Sequence, residues 1–208
     1  ITAGPTHEPI DSVRFLGNRS SGKMGFALAR ELQSAGADVH LIAGPVQLND
    51  PSGVQVTRVE TALEMHAEAM KAIKSADIGI ATAAVSDFRA KTTSKVKWHR
   101  NEMPTAIELD ENPDILYDWG KQKRDGQILV GFALETDNGI ESAKSKLKRK
   151  NLNFIVLNST ADRGAGFGTD TNKISIFEQN GKSHTFDLKS KDAVAHDITQ
   201  LILTHLPQ

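Results

Sequence analysis

The stretch GNRSSGKMG, residues 17–25, leads from a glycine-rich loop into a predicted helix. Met24, Leu28 and Leu32 recur at every fourth position, which is the spacing of one apolar helical face. Gly36 follows as a typical helix stop signal. A strand-like apolar run at residues 1–4 precedes the loop, so the chain opens as strand, loop and helix.

The same alternation continues along the chain. Further strand-like runs cover residues 39–44, 54–59, 78–85, 128–134 and 154–158, and helical patterns begin near Ser21, Thr61, Pro113 and Gly139. Residues 173–178 and 184–188 flank Asn180-Gly181, a dipeptide typical of hairpin turns, and a last helix is predicted over 191–206. The pattern predicts one α/β domain over residues 1–208, with a doubly wound, mostly parallel Rossmann-like sheet, a C-terminal β-hairpin and a closing helix.

Residues 86–111 fit neither the strand nor the helix pattern. Such a segment is long for a structureless connection inside a compact domain, and long loops of this kind often serve as lids or binding arms. The alternative is that it contains elements that the pattern does not reveal. We predict a flexible arm or flap at about 86–111.

The composition argues against several classes of protein. The 208 residues have a formal net charge of −1, which argues against a protein that binds nucleic acid or a membrane surface. No apolar run approaches the ~20 residues of a membrane span. The absence of cysteine excludes disulfides and fits a cytoplasmic location. The chain starts abruptly on strand-like residues, so we expect a first strand truncated at its N-terminus.

Residues 17–25 follow the P-loop pattern G-x-x-x-x-G-K-[ST] only as far as Lys23. Met24 occupies the position of the magnesium-binding hydroxyl, so a true P-loop does not fit. The free N–H groups and the dipole of a helix start still form an anion site, which makes Ser21, Gly22 and Lys23 candidate phosphate-binding residues. On this pattern alone, a simple serine cap with a solvated lysine fits equally well.

Tyr117 and Lys121 have the Tyr-x-x-x-Lys spacing of short-chain dehydrogenases. Those enzymes also need a glycine-rich turn directly after the first strand. Gly4 is instead followed by PTHEP at residues 5–9. We therefore interpret Tyr117 as a tyrosine packed on a helix, and a nicotinamide-dependent reductase as the weaker alternative.

Larger blocks of sequence point to a family. They comprise residues 1–14, 18–25, 83–89, 112–115, 131–136, 146–152 and 166–172. In this order they resemble the phosphopantothenoylcysteine synthetase domain, usually the C-terminal half of a bifunctional bacterial coenzyme A biosynthesis flavoprotein. The resemblance implies fusion in the full-length protein to a flavin-dependent decarboxylase domain, which alone would carry FMN.

The resemblance implies a ligase that acts in two steps. The carboxylate of 4'-phosphopantothenate would attack the α-phosphate of CTP, releasing pyrophosphate and forming an acyl-cytidylate. The amine of L-cysteine would then displace CMP to form an amide. The family also implies a homodimer. We expect Mg²⁺ as cofactor because a triphosphate must be neutralised for in-line attack. From the composition we expect a cytoplasmic enzyme with no nucleic-acid or membrane partner.

Three residues match catalytic positions of the family. Asn18 matches an asparagine that turns over the acyl intermediate, and a neutral amide can donate to the developing oxyanion. Arg14 matches an arginine suited to bidentate contact with a phosphate or carboxylate. Lys95 matches the lysine of a flexible flap that assists the first step, with Lys97 as the alternative because the flap is shorter here.

The resemblance also implies a set of nucleotide-binding residues. They are Ala81, Thr82, Ala83, Asp87, Lys95, Asn112, Pro113, Asp114, Ile115, Phe132, Lys146 and Lys150. Lys146 and Lys150 lie four residues apart on one helical face, where they could clamp a triphosphate. Without the resemblance, these lysines would be interpreted as solvated. Whether residues 21–23 hold a phosphate of CTP or of phosphopantothenate, and which residues bind the metal, stays open.

Overall fold

A computed structural model of the chain describes residues 1–102, 104–135, 139–159 and 169–206. Parts of two family blocks, 136 and 166–168, lie outside the described residues. So does Met103 within the predicted arm.

The chain forms twelve strands and five helices in the described ranges. The strands are β1 Thr2–Ala3, β2 His7–Pro9, β3 Phe15–Gly17, β4 His40–Ala43, β5 Gln55–Arg58, β6 Ile78–Ala81, β7 Phe88–Ala90, β8 Leu109–Glu111, β9 Ile128–Glu135, β10 Phe154–Ser159, β11 Thr171–Glu178 and β12 Ser183–Ser190. The helices are α1 Lys23–Ser34, α2 Ala62–Ala72, α3 Ile115–Lys121, α4 Gly139–Arg149 and α5 Lys191–Leu203.

Eight strands form the central sheet in the order β12-β11-β10-β9-β6-β1-β4-β5. The strands from β10 to β5 pair in parallel, whereas β11 and β12 add an antiparallel hairpin at one edge. Strand β1 lies between β4 and β6, where the order of connection reverses. This arrangement confirms the predicted doubly wound sheet with its hairpin and closing helix.

Helices cover both faces of the sheet. Successive strand residues face opposite sides, so a buried strand presents apolar side chains to the helices on each face. In β9, Val130 packs into the apolar cluster under α1 and α5, whereas its neighbour Leu129 packs into the cluster under α2, α3 and α4. Phe26 of α1 and Trp119 of α3 are nearly fully buried in these two clusters. None of the helices in the described ranges is long and apolar enough to cross a membrane.

The structure adds two small sheets that the sequence pattern did not predict. Strands β2 and β3 pair antiparallel between β1 and α1, and β7 and β8 pair antiparallel at the two ends of the predicted arm. The arm therefore starts and ends in regular structure. These strands are only three residues long and partly exposed, so they have no alternating apolar pattern. The predicted strand 78–85 is shorter, ending at Ala81.

Candidate functional site

The candidate site lies beyond the carboxyl ends of β1 and β6, where the strand order reverses. Ligands of open α/β sheets usually bind in this crevice. A cavity of about 220 Å³ opens here. Residues 20–25 around the start of α1 line one side of it. Residues 82–84 after β6 and 132–134 near the end of β9 line a second side, and Asn158, Asn172 and Lys191 line the third.

Two glycines allow α1 to start against the strand ends. Gly22 has a positive φ of 73°, in the left-handed region that favours glycine. A Cβ atom on Gly25 would lie 2.4 Å from both the Cβ of Ala3 and the Oγ1 of Thr82. The helix start is therefore held against β1 and the residue after β6, which places its first N–H groups at the cavity.

The start of α1 is suited to an anion. Gly22 is the N-cap and supplies no side-chain hydrogen bond to the first turn, which contains no acidic residue. The first N–H groups of a helix lack intrahelical partners and carry the positive end of its dipole. Together with Lys23 in the cavity wall, they favour a phosphate or carboxylate at this position.

Lys23 forms an ion pair that the sequence did not predict. Its Nζ lies 2.6 Å from Oδ1 of Asp170. The hydrogen bond and charge of Lys23 lower the pKa of Asp170, and the charge of Lys191 acts in the same direction. The pKa of Lys191 is itself lowered, first by burial and then by the charge of Lys23, against an opposing effect of Asp170. The cavity wall thus contains two ammonium groups near one carboxylate.

Two buried asparagines complete this side of the cavity. Nδ2 of Asn158 contacts Oδ1 of Asn172 at 3.5 Å, and Oδ1 of Asn172 also accepts a hydrogen bond from Nζ of Lys191 at 2.9 Å. Oδ1 of Asn158 is buried without a hydrogen-bond partner in the described part of the chain. An unpaired buried polar atom is costly and is often explained by a ligand or water.

The predicted site residues are only partly brought together in this cavity. Ser21, Gly22, Lys23, Thr82, Ala83 and Phe132 line it, and Ala81 ends the adjoining strand. The sequence did not single out Asn158, Asp170 or Lys191 as site residues. A polar residue at the carboxyl end of a parallel strand was the available signal for Asn158.

Asn18 lies next to the cavity. Its Nδ2 donates to the carbonyl oxygens of Ala84 at 2.9 Å and of Val85 at 3.3 Å. Ala84 lines the cavity. To donate to a reacting acyl oxygen, the Asn18 amide would have to release one of these two carbonyls.

Arg14 lies in a separate basic groove. Its Nη2 donates to the carbonyl oxygen of Trp98 at 3.0 Å, and its Nε lies 3.6 Å from Asp11. Lys97, Trp98, His99 and Arg100 line the groove with it. Lys95 is exposed on the same segment but is not part of the lining of either cavity.

The remaining predicted nucleotide-binding residues line neither cavity. Asn112 is held by hydrogen bonds to Ser86 and Arg89, and its backbone N–H donates to the carbonyl oxygen of the exposed Asp87. Pro113 precedes Asp114, the N-cap of α3, and Ile115 is buried in the core.

Lys150, one of the two lysines predicted to clamp a triphosphate, forms an ion pair within the protein. Nζ of Lys150 lies 2.8 Å from Oδ2 of Asp114, so two predicted site residues pair with each other. Lys146 lies one turn earlier and is partly buried. To clamp a triphosphate, Lys150 would have to exchange the Asp114 carboxylate for a phosphate oxygen.

The Tyr117 and Lys121 spacing has a structural explanation. The ammonium of Lys121 lies 4.3 Å from the centroid of the Tyr117 ring, as in a cation–π contact. Tyr117 is 39% exposed on α3. Neither Tyr117 nor Lys121 lines either of the two cavities described above.

Comparisons with known proteins connect the chain to a family. A family model described as "DNA/pantothenate metabolism flavoprotein C-terminal domain" matches residues 1–206. The chain is 44% identical over 204 residues to the coenzyme A biosynthesis bifunctional protein CoaBC of Vibrio cholerae, covering 97% of this chain and 51% of that protein. It is 50% identical over 205 residues to a cysteine/cysteine sulfinic acid decarboxylase from an unknown prokaryotic organism, covering 98% of this chain and 57% of that protein.

A solved structure agrees with these matches. The crystal structure of the C-terminal domain of a coenzyme A biosynthesis bifunctional protein CoaBC superposes with a TM-score of 0.83 at 39% identity, covering 98% of this chain and 92% of that one. The chain spans about half the length of the curated relatives named above.

Proposed function

The chain belongs to the DNA/pantothenate metabolism flavoprotein C-terminal domain family, and from this premise we propose that it is a phosphopantothenate–cysteine ligase of coenzyme A biosynthesis. The observation that carries the proposal is the cavity at the reversal of strand order. It combines the open start of α1 with Lys23 and Lys191, which suits a polyanionic nucleotide. We propose CTP as the nucleotide.

The nucleotide would bind with its phosphates at the start of α1. Ser21, Gly22 and Lys23 would supply a hydroxyl, backbone N–H groups and an ammonium to phosphate oxygens. The strand-end residues 81–83 and Phe132 would receive the base and ribose. Asp87, residues 112–115 and the lysines 146 and 150 remain candidates for outer contacts.

Mg²⁺ is the proposed cofactor, because it neutralises charge on the triphosphate. This ion usually keeps phosphate oxygens and waters as ligands and needs only one or two protein carboxylates. The exposed carboxylate of Asp87, which follows β6, is our candidate for one of these. Oxygen donors of this kind fit the ion's chemistry.

In the first step, a carboxylate oxygen of 4'-phosphopantothenate would bond to the α-phosphorus of CTP. The bond from that phosphorus to the bridging oxygen would break, and pyrophosphate would leave with the electron pair. Arg14 would bind a phosphate or carboxylate of the acid in the basic groove. Lys95, or Lys97 as the alternative, would stabilise negative charge at the reacting phosphate.

In the second step, the amine of L-cysteine would attack the acyl carbon of the acyl-cytidylate. CMP would leave with the electron pair of the acyl–oxygen bond, and the nitrogen would lose a proton to form the amide. Asn18 would donate a hydrogen bond to the acyl oxygen as charge develops on it. Activation as a mixed anhydride makes both steps easier than direct amide formation.

We also propose that the enzyme acts as a cytoplasmic homodimer. The small sheets β2–β3 and β7–β8 contact each other and expose Val13, Phe15, Phe88 and Leu109, each 46–61% exposed. Apolar side chains grouped in this way are typical of a protein–protein interface.

A flavin-dependent decarboxylase domain with FMN is the proposed fusion partner, in agreement with the bifunctional relatives.

Pyrophosphate release tests the function. The chain is given Mg²⁺, 4'-phosphopantothenate and each nucleoside triphosphate in turn, with and without L-cysteine. We expect sustained release only when the acid and cysteine are both present, with CTP preferred. A sample with cysteine and no nucleotide is the control for a decarboxylase. Release of carbon dioxide in that sample would favour the activity named for the cysteine/cysteine sulfinic acid decarboxylase relative.

A further inference from the structure

Lys191, the first residue of α5, is a buried lysine in the wall of the cavity. Only 8% of its surface is exposed, and burying an ammonium is costly unless protein oxygens replace its water. Its Nζ donates to the carbonyl oxygens of Thr169 at 2.7 Å and Thr171 at 3.3 Å, and to Oδ1 of Asn172 at 2.9 Å. Its side chain therefore anchors the chain between residues 169 and 172.

Asp170 is the residue enclosed by these contacts. The backbone N–H of Lys191 donates to the Asp170 carbonyl oxygen at 2.9 Å, while Nζ of Lys191 binds the residues on both sides. The Asp170 carboxylate lies 2.6 Å from Nζ of Lys23. Lys191 thus binds the segment that contains Asp170, and Asp170 in turn pairs with the Lys23 ammonium.

We propose that Lys191 is a positioning residue for the phosphate end of the cavity: it holds Asp170, and Asp170 holds the Lys23 ammonium where a polyphosphate binds. This inference rests on the proposed binding of a nucleoside triphosphate in this cavity. The cation is then already in place before the ligand arrives, which reduces the ordering that binding requires.

The role predicts a selective loss of affinity for the longer phosphate chain. Binding of CTP, CMP and inorganic tripolyphosphate, each with Mg²⁺, is measured by titration calorimetry on the wild-type chain and on Lys191→Met. We expect Lys191→Met to weaken CTP and tripolyphosphate about tenfold and CMP about twofold or less, within the range of charge coupling in contacting groups. Adding Lys191→Met to Lys23→Met should produce little further loss, because both act through one ammonium.

Asp170→Asn provides a variant that should fold even if Lys191→Met does not, because the Asp170 side chain is 84% exposed. We expect the same preferential loss of CTP. Lys189→Met is the matched control, because Lys189 lies two residues earlier and pairs with Asp197, at 2.7 Å. That control should leave all three affinities unchanged.

Two results would overturn the positioning role. One is an equal loss of CTP and CMP affinity in folded Lys191→Met, which would indicate a general structural effect. The other is tighter CTP binding by Asp170→Asn, which would mean that the carboxylate competes with phosphate for Lys23. If wild type binds tripolyphosphate but not CTP, the nucleotide proposal fails and the tripolyphosphate data alone decide the role of Lys191. If wild type binds neither tripolyphosphate nor CTP, both the nucleotide proposal and the positioning role of Lys191 are overturned.

Discussion

Nδ2 of Asn18 lies 2.9 Å from the carbonyl oxygen of Ala84, in the wall of the cavity. The same Nδ2 also donates to the carbonyl oxygen of Val85 at 3.3 Å. A carboxylate at position 18 could donate to neither carbonyl and would be repelled by both. The Asn18→Asp variant therefore loses these two contacts as well as the hydrogen-bond donor that we assign to catalysis.

We expect Asn18→Asp to form the acyl-cytidylate and to transfer it poorly to cysteine. The lost donor should slow amide formation by about 10²–10³-fold, as for other oxyanion donors. Quenched-flow chromatography of the intermediate measures this directly. Asn49→Asp, at an exposed loop position, is the matched control. Failure of the intermediate to accumulate in Asn18→Asp would contradict the assignment.

The two flap lysines form a second matched pair. We expect Lys95→Gln to block pyrophosphate release in a single turnover, because it removes the charge assigned to the reacting phosphate. Lys97→Gln should have a smaller effect, because Arg14 and Arg100 line the same groove and keep positive charge there. The reverse pattern would transfer the role to Lys97.

The exposed faces of β3, β7 and β8 predict dimer formation. Phe88→Asp should shift the sedimentation coefficient from a dimer to a monomer and reduce ligase activity, because a charge would be buried at the interface. Leu63→Asp is the control, since Leu63 is equally exposed but lies on α2. An unchanged dimer in Phe88→Asp would exclude this face as the interface.

The sequence predicted the main sheet because its apolar runs are long and regular. It also placed residues 21–23 at the start of the first helix and residues 81–83 at a strand end. The structure brings residues 21–23 and 82–83 into one cavity. It could not predict that Lys191 and Asp170 approach Lys23, because these contacts join segments far apart in the chain. The pairing of Lys150 with Asp114 has the same cause: local spacing shows a helical face but not what lies opposite it.

The close packing of α1 on the sheet can be tested at Gly25. Gly25→Ala should lower the free energy of unfolding by about 1–3 kcal/mol, because the added Cβ would lie 2.4 Å from Ala3 and Thr82. It should also weaken nucleotide binding, since the helix start must move. Gly36→Ala, with nothing within 4 Å of an added Cβ, should cost stability only through its positive φ. Unchanged nucleotide affinity in Gly25→Ala would argue against phosphate binding at the start of α1.

Glu178 predicts how stability depends on acid. Its nearly buried carboxylate accepts hydrogen bonds from His184 at 2.6 Å, Asn180 at 2.9 Å and His205 at 3.0 Å. Burial alone would raise the pKa of Glu178, but these hydrogen bonds and the histidine charges outweigh it and lower the pKa below the usual 4.5. A lowered pKa stabilises the folded state above about pH 4.5, and this contribution is lost as the pH falls through the lowered value.

Glu178→Gln should therefore lower the free energy of unfolding at neutral pH by about 1–3 kcal/mol, the usual cost of losing charge-assisted hydrogen bonds. The difference from wild type should shrink as the pH falls below about 4.5. Urea denaturation over this pH range measures both effects. Glu31→Gln is the control, because Glu31 binds the exposed His196 at 2.7 Å on the surface and should change stability little. A difference that stays constant with pH would show that the native carboxyl of Glu178 has an ordinary pKa.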